Sequence, residues 1–375
     1  MSDSSVVAKP PGGIHRFRSL YERYERGIGV ASFVGGFVFD ALTVRRIDSW
    51  YAIGHQIVYL AFIMIVLTRM FFEEGVPPRD LERMFVLKRW YFRYRMAIVN
   101  FCLGTLLNVY TIFYFKSSSL AVSFGFLAFL VLLLIANESK RFRSLGLAFK
   151  FALLSLCLLS FFAYVVPILV GSMGLVVFLF SILVGCLPIV GISWLVRLRA
   201  PERARQASRQ ISIPLGLVLI AFLASYLFKL IPPVPLSIPF IGIYHDVEKT
   251  EAGYRLSHEQ QAWRLWENGD QDFLAQGGDK IYVYFRIYSP THFSDQVTMR
   301  WFWKEDGRWT LQDSIPINIV GGRREGFRGY GVKSNYQFGD WKAQVETTDG
   351  REIGRVYFSV EMAPLAPRNF EVDID

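Results

Sequence analysis

Apolar positions fall into two regimes that meet near residue 232. Before it they come in unbroken runs, and after it they alternate with polar positions. Seven runs, at 27–44, 50–72, 96–115, 119–136, 145–169, 173–196 and 211–232, approach the roughly 20 residues that a helix needs to cross a bilayer. From residue 238 the period becomes two. Ile281, Val283, Phe285 and Ile287 alternate with Tyr282, Tyr284, Arg286 and Tyr288. Met299, Trp301 and Trp303 alternate with Arg300, Phe302 and Lys304, and Trp341, Ala343, Val345 and Thr347 with Lys342, Gln344 and Glu346. Such alternation predicts half-buried strands. Asp306-Gly307 and Asp349-Gly350 supply the positive φ of tight hairpins. The expected fold is therefore an α-helical polytopic membrane bundle of about seven transmembrane helices, followed by an all-β, immunoglobulin-like sandwich. The expected divisions are a tail and interfacial segment (1–26), the membrane domain (27–232), a proline-rich linker (233–240), the β domain (241–365) and a C-terminal tail (366–375). The segment 257–269 fits neither regime and reads as a short helix or a long loop.

The net charge of +9 conceals a division at the same point. Residues 1–232 hold 25 Lys/Arg and 11 Asp/Glu, whereas 233–375 hold 16 and 21. The basic residues gather at the N-terminus and in the connections 73–95, 137–144 and 197–210, the last with five arginines. The connections 116–119 and 171–173 are nearly uncharged. This alternation predicts a cytoplasmic N-terminus and an extracytoplasmic β domain, in a bacterial inner membrane. Arg45 and Arg46 alone break the pattern. The basic residues belong to membrane loops, so nucleic-acid binding is not expected. Residues 15–26, basic with interleaved aromatics, read as an interfacial helix on anionic lipid. Cys102, Cys157 and Cys186 all lie in apolar runs, and the β domain has no cysteine to form a disulfide.

Ionisable and polar groups inside spans are candidates for function. Arg69, Lys150 and Lys229 lie near span ends and are expected to snorkel. Asn100 and Asn108 are expected to join helices by hydrogen bonds. Asp40 lies on or beside a small-residue face in the first run and His55 near the matching end of the second, so the two could meet, as a structural pair or as a proton- or metal-linked site. Pro167 and Pro188 are expected to break or kink their helices.

In the β region, the run 299–360 carries Trp301, an arginine-bearing Gly-rich stretch at 321–331, Gly339-Asp340-Trp341, the Asp-Gly turn at 349–350 and a final strand with Phe358. On these residues it resembles an uncharacterised bacterial family, domain of unknown function 2914, whose members often follow a multi-span membrane region. The family's usual His two residues before the first Trp is here Met299. The resemblance implies no activity. Arg323, Arg324 and Arg328 suit carboxylate, sulfate or phosphate groups, or else pair with the domain's own acids. They and Trp301 are the candidate ligand-binding residues. Exposed aromatics such as Tyr282, Tyr284 and Phe302 suit a sugar- or protein-binding platform, or the buried side of a packed sheet.

No GxSxG, HExxH, phosphate-loop or dinucleotide pattern occurs, so no catalytic residue, metal or cofactor is expected. The expected role is a non-enzymatic anchor, scaffold or sensor whose outer domain binds a protein or glycan partner. The rival is a membrane enzyme or transporter with a site near Asp40 and His55.

Overall fold

The computed structural model describes residues 49–74, 86–117, 120–138, 146–251, 253–259, 267–291, 293–322, 326–364 and 367–375. Six helices of 15 or more residues come first among them: α1 (Trp50–Glu73), α2 (Val86–Lys116), α3 (Leu120–Glu138), α4 (Leu147–Val170), α5 (Leu175–Arg199) and α6 (Ile213–Leu227). Five stretches, at Trp50–Glu73, Tyr94–Lys116, Leu147–Val170, Leu175–Arg199 and Pro201–Leu227, are long and apolar enough to cross a membrane, and Ser123–Leu133 is a shorter apolar helix. The run expected at 27–44 lies outside the described residues, as do Arg45 and Arg46.

α4 is the centre of the bundle. Of its apolar window, 78% is buried, against 28–33% for α1, α5 and the Pro201–Leu227 stretch, and it packs on α1, α2, α5 and α6. Its approach to α5 is close because Gly185 has no side chain: a Cβ there would lie 3.1 Å from Leu159 Cδ2. Tyr164 on α4 donates a 2.8 Å hydrogen bond to Gln56 on α1, and both groups are buried.

Three expectations for this region are corrected. The helices are not broken at Pro167 or Pro188, each of which lies inside its helix. The connection after Arg199 is not an open loop. A 3₁₀ turn (Pro201–Arg203), an α-turn (Ala204–Ala207) and a π-turn (Ser208–Ser212) lead into α6, in a sequence rich in the strong helix formers Ala, Arg and Gln. Lys150 is fully buried instead of snorkelling, because it lies in the first turn of the most enclosed helix.

The same connection marks one end of the bundle. Arg203 donates to the carbonyls of Phe71 and Phe72 (both 3.1 Å), closing the C-terminal end of α1, and Arg95 pairs with Glu73. The β domain sits at the opposite end.

Eleven strands follow among the described residues: β1 (Ser237–Tyr244), β2 (Asp246–Thr250), β3 (Gly253–His258), β4 (Asp272–Ala275), β5 (Ile281–Tyr288), β6 (Ser294–Glu305), β7 (Arg308–Val320), β8 (Phe327–Lys333), β9 (Gly339–Thr347), β10 (Glu352–Met362) and β11 (Glu371–Ile374). They form three sheets, ordered β1-β5-β8, β4-β10-β9-β6-β7 and β11-β3-β2. The first two share the main core, in which Ile281, Val283, Phe285 and Ile287 meet Met299, Trp301, Trp341, Val345 and Phe358. The third covers the other face of β1-β5-β8, where Tyr244 and Tyr284 meet Val247 and Leu256. The expected inward positions of β5, β6 and β9 are thus observed. The domain's edges are wider than expected. Leu236 already belongs to the core and β1 starts at Ser237, and the 366–375 segment supplies β11, which pairs with β3. Of the segment 257–269, residues 260–266 lie outside the described residues.

Asp306 (φ 47°) and Gly307 (φ 78°) make a two-residue turn with both φ positive. At the other hairpin only Gly350 (φ 75°) is left-handed, and a bulge follows between Glu352 and Gly354.

Trp301 is wholly buried and its indole N–H has no hydrogen-bond partner, so its contribution is packing. Trp301→Ala is expected to cost about 3–5 kcal/mol, whereas Trp301→Phe, which loses no hydrogen bond, costs less. Thermal unfolding of the detergent-solubilised protein checks the order.

Candidate functional site

The expected site residues do not converge. Asp40, Arg323 and Arg324 lie outside the described residues. His55 is exposed on α1, 4.3 Å (ring centroids) from Tyr59 and 6.3 Å from Tyr51. Asn100 is buried and Asn108 half-buried on α2. A cavity between α3, α4 and α6, of about 200 Å³, is lined by Phe126, Phe149, Leu153, Phe222 and other apolar groups, and neither His55 nor Asn108 reaches it. Trp301, expected as a ligand contact, lies in the core 6.3 Å from Phe358 and has no exposed surface.

Arg328 faces the domain's own carboxylate. Its register partner is Arg286 on β5, and the Asp375 side chain lies between them, 3.0 Å from Arg286 Nη1 and 3.8 Å from Arg328 Nε. Tyr284 also donates to Asp375. Two like charges directly opposite on a sheet repel, and the carboxylate relieves this. Tyr284 itself is buried under β11-β3-β2, so the aromatic face of β5 is the covered side of a sheet.

A second charged cluster was hidden in the sequence because its members lie far apart. The His245 side chain, 6% exposed, stacks on Phe273 at 4.0 Å and lies 3.4 Å from Asp270. Arg368 sits 3.0 Å from the imidazole nitrogens, bonds Glu259 through Nε (2.9 Å) and Nη2 (3.1 Å), and donates to Asp279. Asp270 accepts the Glu259 backbone N–H. Burial first, then the Arg368 charge, holds His245 down to about 3. Burial pushes Asp270 up to about 6, against the hydrogen bond from the Glu259 backbone. No group of three or more His, Cys, Asp or Glu among the described residues could hold a metal ion. The cluster ties the segment after β10 to β4.

The junction between bundle and β domain is a third charged site. The β9–β10 turn descends onto the end of α6. Tyr226 donates to Asp349 Oδ2 (2.8 Å), Arg351 Nε donates to the same oxygen (2.9 Å), and the Arg351 guanidinium lies 4.8 Å above the Tyr226 ring. Beneath that ring Phe178 of α5 stacks at 3.6 Å. Arg351 is 5% exposed and lines a small cavity with Tyr114, Pro167, Met173 and Pro232. Burial tends to raise the Asp349 carboxyl, but Arg351, Thr347 and Tyr226 outweigh it and hold the group below its ordinary range. A second contact lies beside it, where Ser294 N–H donates to Gly171 O (2.9 Å) and Met173 N–H to Asp295 (2.8 Å). The Asp-Gly signal marked the turn, but nothing in the sequence marked it as a foot.

The chain thus joins a helical region with five apolar stretches long enough to cross a membrane to an all-β C-terminal domain. Residues 294–360, from β6 to the end of the β10 core, match a family described as "Protein of unknown function (DUF2914)". No curated protein matches. Among solved structures, an immunoglobulin-like protein from Pseudomonas aeruginosa aligns at 12% identity over 34% of this chain and 98% of its own, with a TM-score of 0.21. The alkylpurine DNA glycosylase AlkC of Pseudomonas fluorescens, bound to DNA containing an abasic site analog, aligns at 11% over 82% and 98%, with a TM-score of 0.22. At such scores neither carries an argument.

The buried pair generates a pH prediction. His245, depressed when folded, contributes stability that is present above its unfolded value near 6.5 and is lost as pH falls toward about 3. Asp270, raised when folded, acts oppositely: its contribution is present below about 4 and is lost as pH rises through about 6. Between pH 6 and 4 the two effects oppose each other. Asp270→Asn should leave the histidine's fall in melting temperature with falling pH, and His245→Gln should leave the aspartate's rise, as read by thermal unfolding across the range.

Proposed function

We propose that this is a seven-span bacterial inner-membrane protein with a cytoplasmic N-terminus, and that its periplasmic domain, with an immunoglobulin-like sandwich at its core, is a non-enzymatic binding module. The bundle anchors the module and couples its position to the membrane. The observation that carries this reading is the Tyr226–Asp349–Arg351 seat, which fixes the domain on the end of α6 instead of leaving it on a tether.

The orientation is supported by charge. Arg203 and Arg95, from two of the arginine-rich connections, lie at the end of the bundle away from the β domain, whereas the nearly uncharged 171–173 connection touches it. Basic connections mark the cytoplasmic side. A binding role for the outer domain, with a protein or glycan as partner, is supported by the face of β10-β9-β6-β7 turned away from the core. Trp309, Leu311 and Tyr357 are exposed there, and no other sheet covers them among the described residues.

Reporter fusions after residue 240 should be active only for periplasmic export, and cytoplasmic activity there would reverse the orientation. Tyr226→Phe is expected to weaken the seat by about 1 kcal/mol, the net value of a hydrogen bond, and Arg351→Met by about 2 kcal/mol, because it removes a bond to a carboxylate. Hydrogen exchange at 347–352 should rise in that order. Unchanged exchange in Arg351→Met would remove the basis for coupling.

A further inference from the structure

The outward face of the five-stranded sheet contains a largely covered lysine, Lys342, that makes no direct ion pair among the described residues. Cross-strand register sets Leu311, Phe302, Lys342 and Tyr357 in one row across β7, β6, β9 and β10, a width of about 14 Å at the usual strand spacing. In the next row Trp309 stands opposite Lys304. Lys342 is only 8% exposed, and its ammonium lies 4.1 Å from the centre of the Phe302 ring and 5.4 Å from that of Trp309.

The other cations beside it are neutralised. Lys304 pairs with Asp340 at 2.9 Å and Arg300 with Glu346 at 3.3 Å. Arg355 grips Glu352 with two nitrogens and donates to the Tyr357 hydroxyl at 2.7 Å. Lys342 makes no hydrogen bond or ion pair among the described residues. Burial, with Arg355 nearby, lowers its affinity for the proton, against the pull of Glu352 and Glu346. Ring contact recovers part of the desolvation cost of an ammonium, but an apolar side chain would fill the same space without that cost.

We propose that this face binds an acidic glycan, with a sugar carboxylate on the Lys342 ammonium and sugar rings laid on Trp309 and Tyr357. The inference rests on the reading of the β domain as a binding module and specifies its ligand. Three features select this chemistry. Trp309 and Tyr357 are 37% and 46% exposed and lie 5.7 Å apart, as a shallow platform instead of a deep pocket. A single uncompensated positive charge suits carboxylates spaced along a chain of rings, and it does not suit a dense polyanion, which needs many free cations. The exposed apolar groups alternate with paired charges and form no continuous aliphatic patch of the kind that marks a protein contact.

The test titrates the full-length protein in detergent with hexagalacturonate, using maltohexaose as the neutral control and a poly-glutamate peptide as the acidic non-sugar control, read by calorimetry. The wild type should bind hexagalacturonate and neither control. Lys342→Met should weaken binding about tenfold, the value of one charge-assisted hydrogen bond. Trp309→Ala should weaken it comparably, Lys342→Arg should retain it, and Arg255→Met, which breaks an exposed pair with Glu248 on the β2–β3 sheet, should change it about twofold or less. Thermal unfolding of each variant separates lost binding from lost fold.

Absence of hexagalacturonate binding, or equal binding in Lys342→Met, overturns the proposal. Equal binding of maltohexaose removes the ammonium's role and leaves a neutral-glycan face, and equal binding of poly-glutamate reassigns the face to an acidic protein segment. Either outcome defeats the acidic-glycan assignment. The seating of the domain, read by exchange at 347–352, stands or falls separately.

Discussion

The architecture depends on one arginine kept out of water at the end of a membrane helix. Arg351 comes from a β-turn: Asp349 of the same turn neutralises its charge along one edge, and the face of Tyr226, from the bundle, covers it. A buried guanidinium deprived of its partners is far costlier than a broken surface pair, so the contact resists being opened piecemeal. Phe178 beneath the tyrosine extends the stack into α5, and Met173, at the head of α5, packs against the main β core. The two halves therefore share side chains, and the proline-rich segment between them contributes Leu236 to the β core.

How far the sequence could be read follows from which residues carry information locally. Helix spans were legible because the bilayer requires long uninterrupted apolar runs, and the inward positions of β5, β6 and β9 because a strand's two faces differ. The helical path from Pro201 to Ser212 was not, because the arginines that read as a connection between spans are also good helix formers. β11 was missed for a related reason. Glu371-Val372-Asp373-Ile374 alternates, but four residues are too short a run to stand out, all four are exposed, and only pairing with β3 makes them a strand.

The site residues divide the same way. Residue type suggested that arginines in a Gly-rich stretch hold an anion, and Arg328 faces one, but the anion is the chain's own Asp375, which lies 47 residues further on in sequence. The His245–Asp270–Arg368 cluster depends on three distant segments meeting, and no spacing encodes that. Lys342 was read only as one of the outward positions of β9. That it is buried follows from Phe302 and Trp309 on two other strands, a three-strand coincidence invisible along any one of them.

The two Asp-Gly turns lie at opposite ends of the same sheet. The 349–350 turn rests on the bundle, and β6, which leaves the bundle at Ser294, reaches the 306–307 turn twelve residues later. At the usual rise, twelve residues amount to about 40 Å of strand. The sheet thus stands as a wall beside the bundle end, with its aromatic rows stacked at successive heights. The strand register therefore sets how far each aromatic row stands from the end of the bundle.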